Sequence, residues 1–151
     1  MSRMMDRLID GSIFNAAHIS KFRADLIAFC GVLLESAPMS HILKYPMAFY
    51  ARPYIMDRFW IQGSARYSKE ELLEILRRDF KAIASILGDK NFVFEDKPHE
   101  IDCTLFGHMA SFTYLPFEHD AKTILLKEFP TITNHMERMG KMFFSEFKFR
   151  K

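Results

Sequence analysis

Apolar positions recur at spacings of three and four along most of this chain, and they alternate almost nowhere. Ile19, Phe22, Leu26, Phe29 and Leu33 mark a helix over residues 17–35 with one buried face. Ser36, Ala37 and Pro38 close it. Leu72, Leu76, Phe80, Ile83 and Leu87 form the clearest stripe, with Glu74, Arg77, Arg78 and Lys81 on the opposite side. Ser68, Lys69, Glu70 and Glu71 precede that stripe as an S-x-x-E capping box: Ser68 accepts from the Glu71 amide and the Glu71 side chain returns to the Ser68 amide. Gly88 follows the stripe and ends the helix. A short amphipathic helix is predicted over residues 120–129, and Pro130 sits where a first-turn proline is tolerated. Ile132, Met136, Met139 and Phe143 carry a last helix to about residue 146.

Three stretches depart from this regularity. Residues 1–16 show one weak amphipathic turn that Gly11 and Ser12 break, and read as a lead-in. Residues 41–62 are rich in aromatics and interrupted by Pro46 and Pro53; each removes a backbone donor, which predicts two short helices with a bend. Residues 88–115 change character at Pro98, from a charged aromatic turn to a run free of Asp, Glu, Lys and Arg over 103–117. Such a helix, apolar on every side, belongs in the middle of a bundle. The tail over residues 147–151 alternates Phe with Lys and Arg and is expected to fray. With no alternating run longer than 92–94, there is no sheet to build, and the class is all-α with about six to eight helices.

Composition narrows the field further. The 151 residues suffice for one domain burying roughly 68–70% of its unfolded surface. Sixteen Phe and ten Met provide a deep core in which thioethers fill gaps between rings. A net charge of +2 with mixed signs excludes an electrostatic nucleic-acid footprint. Cys30 and Cys103 both lie among apolar neighbours, which predicts buried thiols in a reducing, cytoplasmic setting. No uncharged run reaches the roughly 20 residues of a membrane helix, and the N-terminus lacks a secretory apolar region.

Within the pivot, Gly88-Asp89-Lys90, Phe92, Phe94, Pro98, Asp102 and Phe106-Gly107-His108 together resemble the core motif of the C-terminal helical domain of glutathione S-transferases. The resemblance is to the branch holding metaxins, failed axon connections proteins and cadmium-responsive transferase-like proteins. Gln62-Gly63, Arg66 and Ser68, and then Phe129-Pro130, Ile132 and 136–139, agree with the same branch, so the likeness covers about residues 17–147, with 148–151 as a tail. It implies an all-α bundle around a buried central helix whose start is capped, with His99 at the cap and Asp102 as the acid three residues later. Two positions depart from the pattern: His99 replaces Ser or Thr, and Glu95 stands where relatives often have Gly. In transferases the glutathione site and catalytic side chain lie in an N-terminal thioredoxin-like domain. Residues 1–37 carry no strand pattern and no proline, and Glu35-Ser36, although similar to a glutathione-binding pair, closes a predicted helix.

Asp102 is therefore expected to be structural rather than a general base. His99 and Cys103, four apart, are a candidate soft-metal pair, weighed against a surface cap and a buried thiol. His108 is expected to be a core histidine beside Gly107, with Gly107, Ala110 and Ser111 letting neighbouring helices approach closely. Tyr50, Tyr54, Arg58 and Trp60, with Tyr45, are candidate pocket lining, weighed against aromatic core filling. The expected function is non-catalytic, through a protein partner or homodimer over an exposed apolar patch, with no cofactor and no glutathione binding. The rival is the C-terminal half of a divergent transferase-type detoxification enzyme, with cadmium response as one role the resemblance implies, and a third reading follows metaxins to the periphery of the mitochondrial outer membrane.

Overall fold

The computed structural model describes residues 2–94 and 97–146, and among these there are helices and turns but no strand. The fold is all-α. The Glu95 departure and the tail after residue 146 lie outside the described residues.

The chain opens with helix α1 (Ser2–Leu8), which passes through a π-helical turn (Ile9–Ile13) directly into α2 (Phe14–Leu33). Gly11 and Ser12 thus do not break the helix; they sit inside the wider turn. Met5, Ile9, Ile13 and Ala16 remain buried along one side, so the supposed lead-in contributes to the core. The Ser12 hydroxyl donates to Asp79, 67 residues further along the chain, fastening this segment in place.

α2 bends at Asp25, whose backbone leaves the helical region (φ −157°, ψ 89°). The Asp25 carboxylate accepts from the Ala28 amide at 2.8 Å and restarts the helix as an internal cap. Beyond that kink the expected apolar stripe leaves the core: Cys30 is buried but Leu33 is 59% exposed.

α3 (Ser40–Gln62) is one helix containing both Pro46 and Pro53, where two helices with a bend were expected. Each proline lacks the amide that would bond the carbonyl four residues back, on Ile42 and Phe49. Both prolines and both of those residues lie on the exposed side, where the freed carbonyls are open to solvent. Met39, with positive φ, precedes the helix, and Gly63 at φ 104° ends it. A single 3-10 turn (Ser64–Arg66) then leads to α4 (Lys69–Leu87).

α4 buries Leu72, Leu76, Phe80, Ile83 and Leu87, the five positions of its sequence stripe. α5 (Glu100–Thr113), α6 (Asp120–Glu128) and α7 (Pro130–Phe143) complete the bundle, with α7 packed on α4, α5 and α6. Leu105, Met109 and Phe112 of α5 join Ile124, Leu125, Ile132, Met136 and Met139 in one core with the α4 stripe. α5 is not buried all round, however. Cys103, Gly107 and Ser111, spaced by four, form an exposed line, so Gly107 accommodates no neighbouring helix. α3 stands apart from this core: it packs chiefly against α2 and the 3-10 turn, and of its 23 residues only Ala48 is buried.

Candidate functional site

The most ordered polar site is the corner where the 88–94 turn, the start of α5 and α7 meet. Asp102, in the first turn of α5, is fully buried. Its Oδ2 accepts from the His99 amide at 2.8 Å, while its Oδ1 accepts from the Val93 amide and from His135 Nε2, both at 2.8 Å. The His99 carbonyl in turn receives the Asp102 amide at 2.9 Å. One carboxylate thereby joins three segments, which is the work of a structural group. His135 is 1% exposed, and burial lowers its pKa against the opposing pull of Asp102. Its neutral form fits the site: Nε2–H donates to Asp102 and Nδ1, unprotonated, has no partner. Phe92 meets the imidazole edge to face.

The Ser68 cap at the start of α4 is made in both directions: Ser68 Oγ accepts from the Glu71 amide at 3.2 Å and Glu71 Oε2 from the Ser68 amide at 2.8 Å. The bond from Ser68 holds the Glu71 carboxyl below its usual range.

His99 and Cys103 are both exposed, contrary to the buried thiol expected at Cys103. No cluster of three or more metal-ligating side chains occurs among the described residues, and the His99 ring packs instead against Phe94. His108 is not a core histidine. Its side chain is 25% exposed, Nε2 lies 3.0 Å from Asp10 Oδ1, and the ring meets Phe14 edge to face, so it links α5 to the π-helical turn and the start of α2.

The candidate pocket residues separate. A groove of about 890 Å³ between α2 and α3 is lined by Phe22, Leu26, Tyr45, Phe49, Tyr50 and Arg52, among others. A smaller one of about 260 Å³, on the same pair of helices, takes Tyr54 and Arg58 together with Phe14 and His18. Trp60 lines neither; its ring lies under the Arg66 guanidinium and its carbonyl accepts from Arg66 Nε. Tyr50 and Tyr54 are 75% and 69% exposed, so these aromatics are surface rather than core.

Three titratable side chains had no signal in the sequence. Lys21 is 2% exposed with its amine over the Phe29 and Phe22 rings, and burial brings its pKa down to about 8. Burial, with Lys21 nearby, lowers His18 to about 4. His119 caps α6: Nδ1 accepts from the Lys122 amide at 3.3 Å and Nε2 donates to the Phe112 carbonyl at 2.9 Å. Burial lowers its pKa as well. None of the three lay on an expected motif; only their interhelical neighbours reveal them.

Residues 76–139, from within α4 to within α7, match the sequence model of the family described as glutathione S-transferase, C-terminal domain. This segment is similar to the C-terminal domain of glutathione S-transferases. The matched residues include the whole Asp102–His135 corner. The chain is 32% identical over 96 residues to the isoprene-epoxide glutathione S-transferase of Rhodococcus sp. (strain AD45), covering 64% of this chain and 39% of that protein. It is 26% identical over 92 residues to failed axon connections of Drosophila melanogaster, covering 54% of this chain and 22% of that protein. It therefore spans well under half the length of either relative. No solved structure matches. The α2–α3 pair lies outside the matched segment of the transferase C-terminal domain. No helix among the described residues is long and apolar enough to cross a membrane.

Proposed function

We propose that this chain is a non-catalytic transferase-like domain that works through protein contacts, in the manner of a docking module. The observation that carries the reading is α3: a helix with one buried residue that displays Phe49, Tyr50, Tyr54, Trp60 and Ile61 at 56–79% exposure. Exposed apolar surface on this scale marks an interaction site. The ordered polar chemistry points the same way, since Asp102, Ser68 and Glu71 are consumed in holding helix ends. No cofactor is assigned, and a cytoplasmic location follows the same reading. The test is size-exclusion chromatography with light scattering on wild type and Phe49→Ser, alone and with candidate partners. Self-association or complex formation that Phe49→Ser abolishes is expected; a strict monomer that binds nothing overturns the proposal.

A second reading has one specific support, the similarity to a relative that is named as a glutathione transferase. On it, this chain is the helical half of a detoxification enzyme. Retention on glutathione-agarose by these 151 residues, or conjugating activity, decides in its favour.

A further inference from the structure

The surface of α3 has a shape and a charge that narrow the kind of partner. Tyr45, Phe49, Pro53 and Met56 recur at spacings of four, four and three along one wall of the large groove. They form a ridge of the sort a neighbouring helix packs against. Eleven residues separate Tyr45 from Met56, so at 1.5 Å per residue the wall runs about 17 Å, or three helical turns. The facing wall is α2, with Phe22 and Leu26. Two antiparallel helices with an open apolar groove between them present the seat that a third helix fills in a bundle, and among the described residues α3 packs chiefly on α2 and the 3-10 turn alone.

Charge then distinguishes between occupants. α3 carries Lys44, Arg52 and Arg58 against a single carboxylate, Asp57. Arg52, on the groove rim, and Arg58, beside the smaller groove, are exposed and have no ion-pair partner among the described residues. Arg23, also on the rim, donates only to the neutral carbonyls of Ala65 and Tyr67. Asp25, the rim's one carboxylate, is engaged by the Ala28 amide. A second copy meeting this face across a two-fold axis would set the same excess of cations against itself. A bilayer surface is flat and leaves the groove between the Phe22–Leu26 wall and α3 unfilled.

We propose that the α2–α3 groove receives an acidic amphipathic helix from a partner protein. Its apolar side rests on Phe22, Phe49 and Met56, and its carboxylates meet Arg52. This rests on the protein-contact reading above and adds the partner's chemistry to it.

The experiment is a displayed library of 18-residue amphipathic helices, with leucines fixed along one seam and the flanking positions varied among Glu, Lys and Ser, selected on the full chain. Selected sequences are expected to carry Glu at the flanks. A synthetic peptide from the selection should bind about tenfold or more weakly to Arg52→Glu, and replacing its Glu by Lys should restore binding to that variant. Phe49→Ser, 76% exposed in the wild type, should weaken the peptide without altering the circular dichroism. Selection of neutral or Lys-rich helices that still require Phe49 overturns the acidic partner and leaves the protein-contact reading standing. Self-association that Phe49→Ser abolishes does the same in favour of a second copy. If the library yields nothing, the acidic-helix proposal falls, while the protein-contact reading stands or falls on the light-scattering test above; Arg52-dependent binding to phosphatidylserine vesicles in that case assigns the face to a membrane.

Discussion

The Asp102 carboxylate lies 2.8 Å from His135 Nε2 across 33 residues of sequence, with both side chains essentially out of solvent. The same carboxylate holds the amides of Val93 and His99, so the two helices and the preceding turn share one acceptor group. Replacing it tests the whole corner at once. Asp102→Asn keeps the size but turns one oxygen into a donor facing donors, and should destabilise the fold by about 3 kcal/mol. Ser68→Ala, which removes an exposed cap, should cost about 1 kcal/mol. Urea unfolding at neutral pH compares the two, and equal losses would refute the special place of Asp102.

Much of this corner was legible in the sequence, because capping is a local relationship. His99 and Asp102 are three apart, as are Ser68 and Glu71, and such spacings fix which amide meets which oxygen. The partner of Asp102 was not legible. His135 lies in a later helix, and its approach depends on how α7 crosses α5. The α4 stripe could be read position by position because one face met one core. The prolines of α3 misled for the opposite reason: their effect depends on which side faces water, and that is a tertiary fact. The charge-free run of α5 likewise suggested burial all round, yet small residues without charge line its exposed side.

Acid should weaken the fold before the carboxylates titrate. His18, His119 and His135 all have pKa values lowered by burial, His18 to about 4. In the unfolded chain each takes up a proton near pH 6.5, whereas in the native protein each resists until lower pH. The unfolded state then binds more protons, so the stability these groups contribute is complete above pH 6.5 and falls as pH drops toward 4. Each such proton adds about 1.4 kcal/mol per pH unit to the slope. Protonation also spoils specific bonds: His119 Nδ1 loses its capacity to accept from Lys122, and His135 Nδ1 becomes a buried donor without a partner. Urea midpoints between pH 7 and 5 should decline steeply in the wild type, with a shallower decline in His119→Asn. A flat profile over that range contradicts the assignment.

Lys21 carries the same sign into base. Its amine is buried over Phe29 and Phe22, and burial lowers its pKa from 10.5 to about 8. At pH 7 the native state carries this charge at a cost. Between pH 8 and 10.5 the native lysine is neutral while the unfolded one is still charged, so the unfolded state binds the extra proton and stability contributed here rises with pH. Lys21→Met, similar in length and apolar, should therefore stabilise the protein at pH 7 by about 1–2 kcal/mol. The advantage over wild type should shrink from pH 8 to 10. Comparing variant with wild type cancels the opposing effect of Cys30 and Tyr114, whose pKa values burial raises. A destabilised Lys21→Met at pH 7 would instead show that the amine's contacts with the rings outweigh its desolvation.

The last expectation concerns where the fold opens first. α4 and α5 place five and seven residues in the interior, whereas α3 places one and rests chiefly on α2 beyond a kink. Local stability follows buried apolar contact, so α3 should open at a free energy well below that of global unfolding. The two prolines add to this, since the Ile42 and Phe49 carbonyls lack intrahelical donors. Amide hydrogen exchange followed by mass spectrometry should find peptides from Ser40–Gln62 labelled long before those from Lys69–Leu87, and denaturant should change the slow set more than the fast one. The acidic helical peptide selected on the α2–α3 groove should then slow exchange in α3 selectively. Such protection, lost in Arg52→Glu, would connect the least stable helix of the fold directly to the surface assigned to partner binding.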